Sequence, residues 1–236
     1  MGKKEATEQQ TKSRERVAKH GEVFTAAREV NAMLDLVKEE TERIESRFLE
    51  PACGTGNFLA EILRRKLAAC AKYGKSPLEW EQHSVLACSS LYGIELLADN
   101  AEECRGRLFD IWQERYGALV GAEGHPETSA AVRFLFGRNI LCGDALSLKQ
   151  ADGAPIIFSE WAMATGTKMR RRDFRLDVLL EKGEEDSQAQ MELDLFGGES
   201  PNADVHWMRD PEDGKRMIPA PVREFPCVDY WRIHEC

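Results

Sequence analysis

No run of 18 apolar residues occurs in the 236-residue chain, so no membrane-spanning helix is expected. Its first residues, Met1-Gly2-Lys3-Lys4-Glu5, lack the apolar core of a secretory signal. None of the seven cysteines (Cys53, Cys70, Cys88, Cys104, Cys142, Cys227, Cys236) forms a Cys-x-x-Cys pair, so no zinc or other metal site is expected. Their odd number and their places in helical and strand patterns point to free thiols in a reducing cytoplasm. Gly-Lys-Ser/Thr is absent, which excludes a phosphate loop, and no Pro-Pro pair or internal repeat is present. Excess positive charge is missing too. Net charge is −9; residues 181–236 hold 14 acids against 6 bases, leaving 27 acids and 26 bases in residues 1–180. That balance disfavours broad nonspecific DNA contact but permits a local DNA surface on the near-neutral part.

What is present is 42% hydrophobic content, enough for a core in one domain with extensions. The chain is organised around Phe48-Leu49-Glu50-Pro51-Ala52-Cys53-Gly54-Thr55-Gly56-Asn57-Phe58-Leu59, which predicts a buried strand, a glycine turn and a helix start. Gly54 and Gly56 can take backbone angles closed to other residues and let a ligand approach the main chain. Asn57 is the expected helix N-cap, and Phe58, Leu59, Ile62, Leu63 and Leu67 follow at helical spacing. Such a unit commonly holds a nucleotide-like ligand at the carboxyl edge of an α/β sheet. A third glycine, needed for the dinucleotide fingerprint, is lacking.

The pattern continues with a helix marked by Val30, Met33, Leu34, Val37, Thr41 and Ile44 before the strand. After the turn come a helix near Pro77, a strand at Leu91-Tyr92-Gly93-Ile94-Glu95, and a long amphipathic helix over Leu97–Tyr116. A loop over 117–128, a short helix at Val132–Phe136 and a strand into Asp144 follow. Alternating helices and strands predict the first half of a doubly wound parallel sheet. Glu95 falls at the end of the second strand, where an acid can accept hydrogen bonds from a ribose diol.

The stretch Glu-Pro-Ala-Cys-Gly-Thr-Gly-Asn-Phe resembles the cofactor motif of the amino-methylating DNA methyltransferases, which use S-adenosylmethionine. His20-Gly21-Glu22-Val23-Phe24-Thr25, shortly upstream, resembles the segment whose aromatic and threonine close over the methionine end of the cofactor; Ala26 stands where proline is usual. Asn139-Ile140-Leu141-Cys142-Gly143-Asp144-Ala145-Leu146 resembles a third family segment. The resemblance implies a Rossmann-like methyltransferase fold with a parallel-sheet core. It implies a cofactor site at Phe24, Thr25, Glu50, Pro51, Ala52, Gly54, Gly56, Asn57, Phe58, Glu95, Leu96, Asp144 and Ala145. Asp144 would meet the adenine amine, and Ile94, Leu96 and Leu146 would flank the adenine ring.

The resemblance weakens after Pro155-Ile156-Ile157-Phe158, the next expected strand. The family ends it with Asp/Asn/Ser-Pro-Pro-aromatic, which grips the target amine and stacks on a flipped base. This chain reads Ser159-Glu160-Trp161, the expected target pocket, with Ser159 accepting and Trp161 stacking. Only 75 residues follow, too few for a full sheet and a DNA-reading domain, so a reduced sheet is expected. Thr167–Arg175 reads as a solvated helix start or a phosphate contact. The expected organisation is a polar arm (1–19), a cofactor-binding domain (20–181), and an acidic linker with a proline-punctuated tail (182–236). In the linker, Met191-Glu192-Leu193-Asp194-Leu195-Phe196 alternates apolar and acidic residues, as an edge strand or a docking segment would. The function implied is adenine-N6 methylation of DNA in a restriction-modification system, with a partner subunit or second copy supplying target recognition. The alternative is a non-catalytic subunit that binds the cofactor and supports a partner.

Overall fold

The computed structural model describes residues 25–180, 207–209 and 217–236. The N-terminal arm, the expected Phe24 contact and most of the acidic linker lie outside them. The described residues are mixed α/β. Two short helices come first, α1 (Ala27–Asp35) and α2 (Lys38–Glu42). Val30 and Leu34 of α1 turn inward at i, i+4, as the apolar spacing predicts.

Three short strands form the parallel sheet: β1 (Phe48–Glu50), β2 (Leu91–Glu95) and β3 (Ile140–Cys142), in the order β1-β2-β3. Leu49 lies beside Tyr92, and Ile94 beside Leu141. Parallel neighbours need long crossovers, and helices supply them. Between β1 and β2 run α3 (Asn57–Tyr73) and α4 (Pro77–Ser89); between β2 and β3 run α5 (Ala98–Leu119) and α6 (Thr128–Asn139). Ser76 caps α4 by accepting from the Glu79 N–H at 3.2 Å, and Pro77 follows at the first helical position, where its missing N–H costs nothing. Every residue of β2 is buried, as in a central strand covered on both faces. Leu59, Leu63, Leu108, Trp112, Leu135 and Ile140 are fully enclosed in the core between these layers. Each such side chain contributes about 1.5–3 kcal/mol.

One core position is occupied by a cation. Lys66 of α3 is fully enclosed, and its Nζ donates to the carbonyls of Arg43, Ile44 and Ser46 at 2.9, 2.8 and 2.6 Å. It thereby ties off the chain leaving α2. Burial pushes its pKa down from 10.5 to about 8. The unfolded chain then holds the proton that the folded chain releases between those values, so this group adds stability as pH rises through that window. Lys66→Met leaves three carbonyls without a donor and is expected to lower stability by about 2–3 kcal/mol, read by denaturant melts. A melt equal to wild type would show that the three bonds do not fasten the segment.

The sheet does not continue into the next strand. β4 (Ile157–Met163) pairs antiparallel with β5 (Lys168–Arg175) instead, Ser159 opposite Asp173 and Trp161 opposite Arg171. This corrects two expectations. The strand does not stop at Phe158 but runs through Ser159, Glu160 and Trp161, because a hairpin partner extends it. Thr167–Arg175 is no solvated helix start: Arg171 and Arg172 are buried and neutralised by Asp173 and Glu160. A short helix, α7 (Leu176–Leu180), follows; β6 (Trp207–Arg209) and β7 (Met217–Pro219) form a separate hairpin.

The C-terminal residues close the structure. β8 (Arg223–Glu224) and β9 (Val228–Asp229) both add antiparallel to β5. The last turn, Tyr230–Glu235, packs on α6 with Tyr230 and Ile233 buried. Its anchor is Glu81 of α4, a fully enclosed carboxylate. Glu81 accepts from the Tyr230 hydroxyl (3.2 Å), the Tyr116 hydroxyl (3.3 Å), the His125 backbone N–H (3.0 Å) and the Thr128 hydroxyl. The His125 ring nitrogen lies 3.0 Å from the oxygen that also accepts from Tyr230, and that ring stacks on Trp231 at 3.5 Å. Burial pushes the Tyr116 hydroxyl up to about 12, reinforced by the charge of Glu81. Among the described residues no helix is long and apolar enough to cross a membrane, and no cluster of His, Cys, Asp or Glu could hold a metal ion.

Candidate functional site

Because β1, β2 and β3 are parallel, the loops leaving Glu50, Glu95 and Cys142 emerge on one edge. Those loops tie themselves to the end of β2. The Cys53 N–H donates to the Ile94 carbonyl at 2.9 Å and the Gly143 N–H to the Glu95 carbonyl at 2.9 Å. Between them opens a cavity of about 520 Å³, within the ~300–1,000 Å³ usual for small-molecule sites. Thr25, Glu50, Pro51, Ala52, Gly54, Asn57, Phe58, Glu95, Leu96, Asp144 and Ala145 all line it. Of the expected cofactor residues, Phe24 lies outside the described residues and Gly56 sits behind the lining. Ile94 is buried beneath the cavity and does not face it, whereas Leu96 and the strongly exposed Leu146 do.

Glu95 is the hub. One carboxylate oxygen accepts from the Gly54 N–H at 2.9 Å; the other accepts from the Leu97 N–H at 3.0 Å and from the Asn100 side chain at 3.4 Å. A carboxylate offers about four acceptor positions, so one remains for a ligand hydroxyl. The acid therefore shapes the glycine turn as well as facing the cavity. Glu50 is also set there; burial pushes its carboxyl above the usual range, against a bond from the Ala52 N–H. Asp144 folds back on its own loop. The Leu146 N–H donates to it at 2.9 Å, and this bond with a further one from Ser147 holds its carboxyl below the usual range.

Asn57 has a different task from the cap expected of it. Gly56 occupies the N-cap at φ 85°, a left-handed conformation that glycine adopts freely. This frees the Asn57 side chain. Its amide donates to the Thr25 carbonyl at 2.8 Å, drawing that segment to the cavity mouth. Arg107 of α5 orients Asn57 by donating to its side-chain oxygen at 2.5 Å. Arg107 and Asn100 escaped the sequence reading, which followed the apolar stripe of α5 and placed Cys104 on it. The spacing 100, 104, 107 is itself an i, i+4, i+7 face, and that face carries them to the turn. Cys104 also hydrogen-bonds the Cys53 thiol; with burial adding, Cys53 is pushed far above the ordinary thiol range.

Gly56 is tightly confined. A Cβ there would lie 2.6 Å from the Cys104 sulfur. Gly56→Ala is expected to cost about 1–2 kcal/mol for the left-handed backbone and about 1–3 kcal/mol for the collision. The turn at Gly54 should move with it, so a thermal melt should fall and any ligand affinity should drop together. Wild-type melting would show that the turn tolerates a side chain.

Ser159, Glu160 and Trp161 are not brought to this cavity. Ser159 is fully enclosed, its hydroxyl donating to Asp173 at 2.6 Å and accepting from Arg171 at 3.1 Å. The Trp161 indole N–H donates to Asn139 at 2.9 Å, and its ring meets Phe134 edge-on. Glu160, on the opposite face of the strand, is held between Arg172 at 2.8 Å and Arg47 at 3.0 Å. Alternation along β4 accounts for this: neighbouring residues point to opposite faces, and both faces are already partnered. No family model, curated protein or solved structure matches the chain.

Proposed function

We propose that the chain binds S-adenosylmethionine in the cavity at the carboxyl edge of the β1-β2-β3 sheet, within a Rossmann-like methyltransferase fold. The reaction this site serves is methylation of adenine N6 in DNA, as a modification component of a restriction or defence system. The observation that carries the reading is the convergence of Thr25, Gly54, Glu95 and Asp144, drawn from four separated stretches, on one cavity. The residues fit such a cofactor. Glu95 keeps an acceptor position for a ribose hydroxyl, Leu96 and Leu146 offer apolar faces for the adenine, and Asp144 offers an acceptor for its amine. Gly54 lets the ligand reach the main chain, and Thr25 is held at the mouth by Asn57. When bound, the cofactor supplies a methyl group on a sulfonium; the chain needs only to hold and orient it.

A second reading has its own support. Ser159 and Trp161 are committed to the β4–β5 hairpin, which favours a cofactor-binding subunit whose target-gripping residues come from a partner. Calorimetry with S-adenosylmethionine and then S-adenosylhomocysteine tests the shared premise, and transfer of labelled methyl to unmethylated DNA separates the two. Binding with transfer supports the enzyme, and binding without transfer in the presence of its partners supports the subunit. Absence of binding removes both.

A further inference from the structure

A second groove, remote in character from the cofactor cavity, opens against β1. It holds about 250 Å³ and is lined largely by Phe48, Leu49, Phe158, Phe174, Leu179 and Leu180. Leu49, Leu179 and Leu180 are 43%, 44% and 54% exposed, which leaves a contiguous apolar wall open to water. β1 is the outer strand of its sheet, and among the described residues its other edge has no strand partner. An apolar surface beside an open strand edge is a site for strand addition.

The path of the chain indicates what covers it. α7 reaches Leu180, on the groove wall, and after 26 intervening residues the chain returns at Trp207. Trp207 pairs with β7, and β7 packs on α7. The excursion thus leaves from the groove and comes back beside it. Met191 lies 11 residues beyond Leu180, a reach of up to about 36 Å. Met191, Leu193 and Leu195 recur at the two-residue period of a strand, Glu192 and Asp194 fall on its other face with Phe196 ending the segment on that side, and Gly197-Gly198 lets the chain turn back after it.

We propose that residues 191–196 of this same chain fill the groove as an extended strand along the open edge of β1, with Met191, Leu193 and Leu195 against Leu49, Leu179 and Leu180. Glu192 and Asp194 then face water and, as charges on a new outer strand, discourage further strand addition. The inference stands independently of the cofactor reading. Hydrogen exchange on the full chain tests it. Amides of residues 191–196 are expected to exchange at least about 100-fold more slowly than an unstructured chain. Leu193→Asp with Leu195→Asp should abolish that protection and speed exchange at residues 48–50 and 176–180 at least about tenfold, leaving α3 and α6 unchanged. Unprotected 191–196 amides in the wild type would overturn the proposal, as would groove amides that ignore the double variant. Protection that disappears on dilution would assign the groove to a second copy and overturn it as well. Should the double variant lose protection in α3, the wild-type measurement decides alone.

Discussion

Glu95→Gln is expected, on the proposed cofactor reading, to weaken S-adenosylhomocysteine binding by about 30- to 150-fold, the equivalent of about 2–3 kcal/mol. The size follows from what the carboxylate holds. Its two oxygens receive the backbone N–H groups of Gly54 and Leu97, so both must be acceptors. An amide offers one oxygen and one NH₂, and whichever way it is turned, a donor faces a donor. The glycine turn must then shift, and the acceptor position that the proposal assigns to a ribose hydroxyl goes with it. Glu95→Asp keeps both oxygens but withdraws them by one methylene, and should fall between wild type and Gln. Titration calorimetry with a parallel melt separates lost binding from lost folding. A Gln variant within about threefold of wild type would mean that the ligand does not depend on the Glu95-held turn.

Glu81→Ala should cost about 3–5 kcal/mol of stability and lower the melting temperature by about 10 °C. Two tyrosines, a threonine and the His125 main chain all direct donors at one enclosed carboxylate, and the two tyrosines and the threonine are buried. Removing the acceptor strands them together. Tyr230→Phe removes a single donor and should cost about 1 kcal/mol. If Glu81→Ala melted with the wild type, the C-terminal turn would owe its position to Trp231 stacking and apolar contact instead.

The parts of this fold that rest on local rules could be read from the residues alone. The glycine turn, the apolar spacing of α3 and the continuous burial of Leu91–Glu95 each encode their own geometry, and the parallel β1-β2-β3 sheet follows from them. The convergence of Thr25, Glu95 and Asp144 on one cavity was legible for the same reason, since parallel strands deliver their ends to one edge. What failed was non-local. Arg170-Arg171-Arg172 looks like a solvated run until Asp173 and Glu160 are placed beside it, and only the hairpin does that. Ser159 and Trp161 looked available because nothing near them in sequence reveals that Asp173 and Asn139 already hold them. Asn57 has the right chemistry for a cap, yet the left-handed Gly56 takes that position and turns the amide to Thr25.

The Glu81 anchor also sets a schedule for biosynthesis. Tyr230 leaves the ribosome 149 residues after Glu81, a delay of roughly 7–30 s at about 5–20 residues per second. Until then the carboxylate lacks the hydroxyl that completes its shell, and α4 and α6 cannot be sealed over it. The cavity elements, finished by Asp144, are therefore made well before the clamp behind them, and the nascent chain carries an assembled sheet edge on helices still waiting for their last partner.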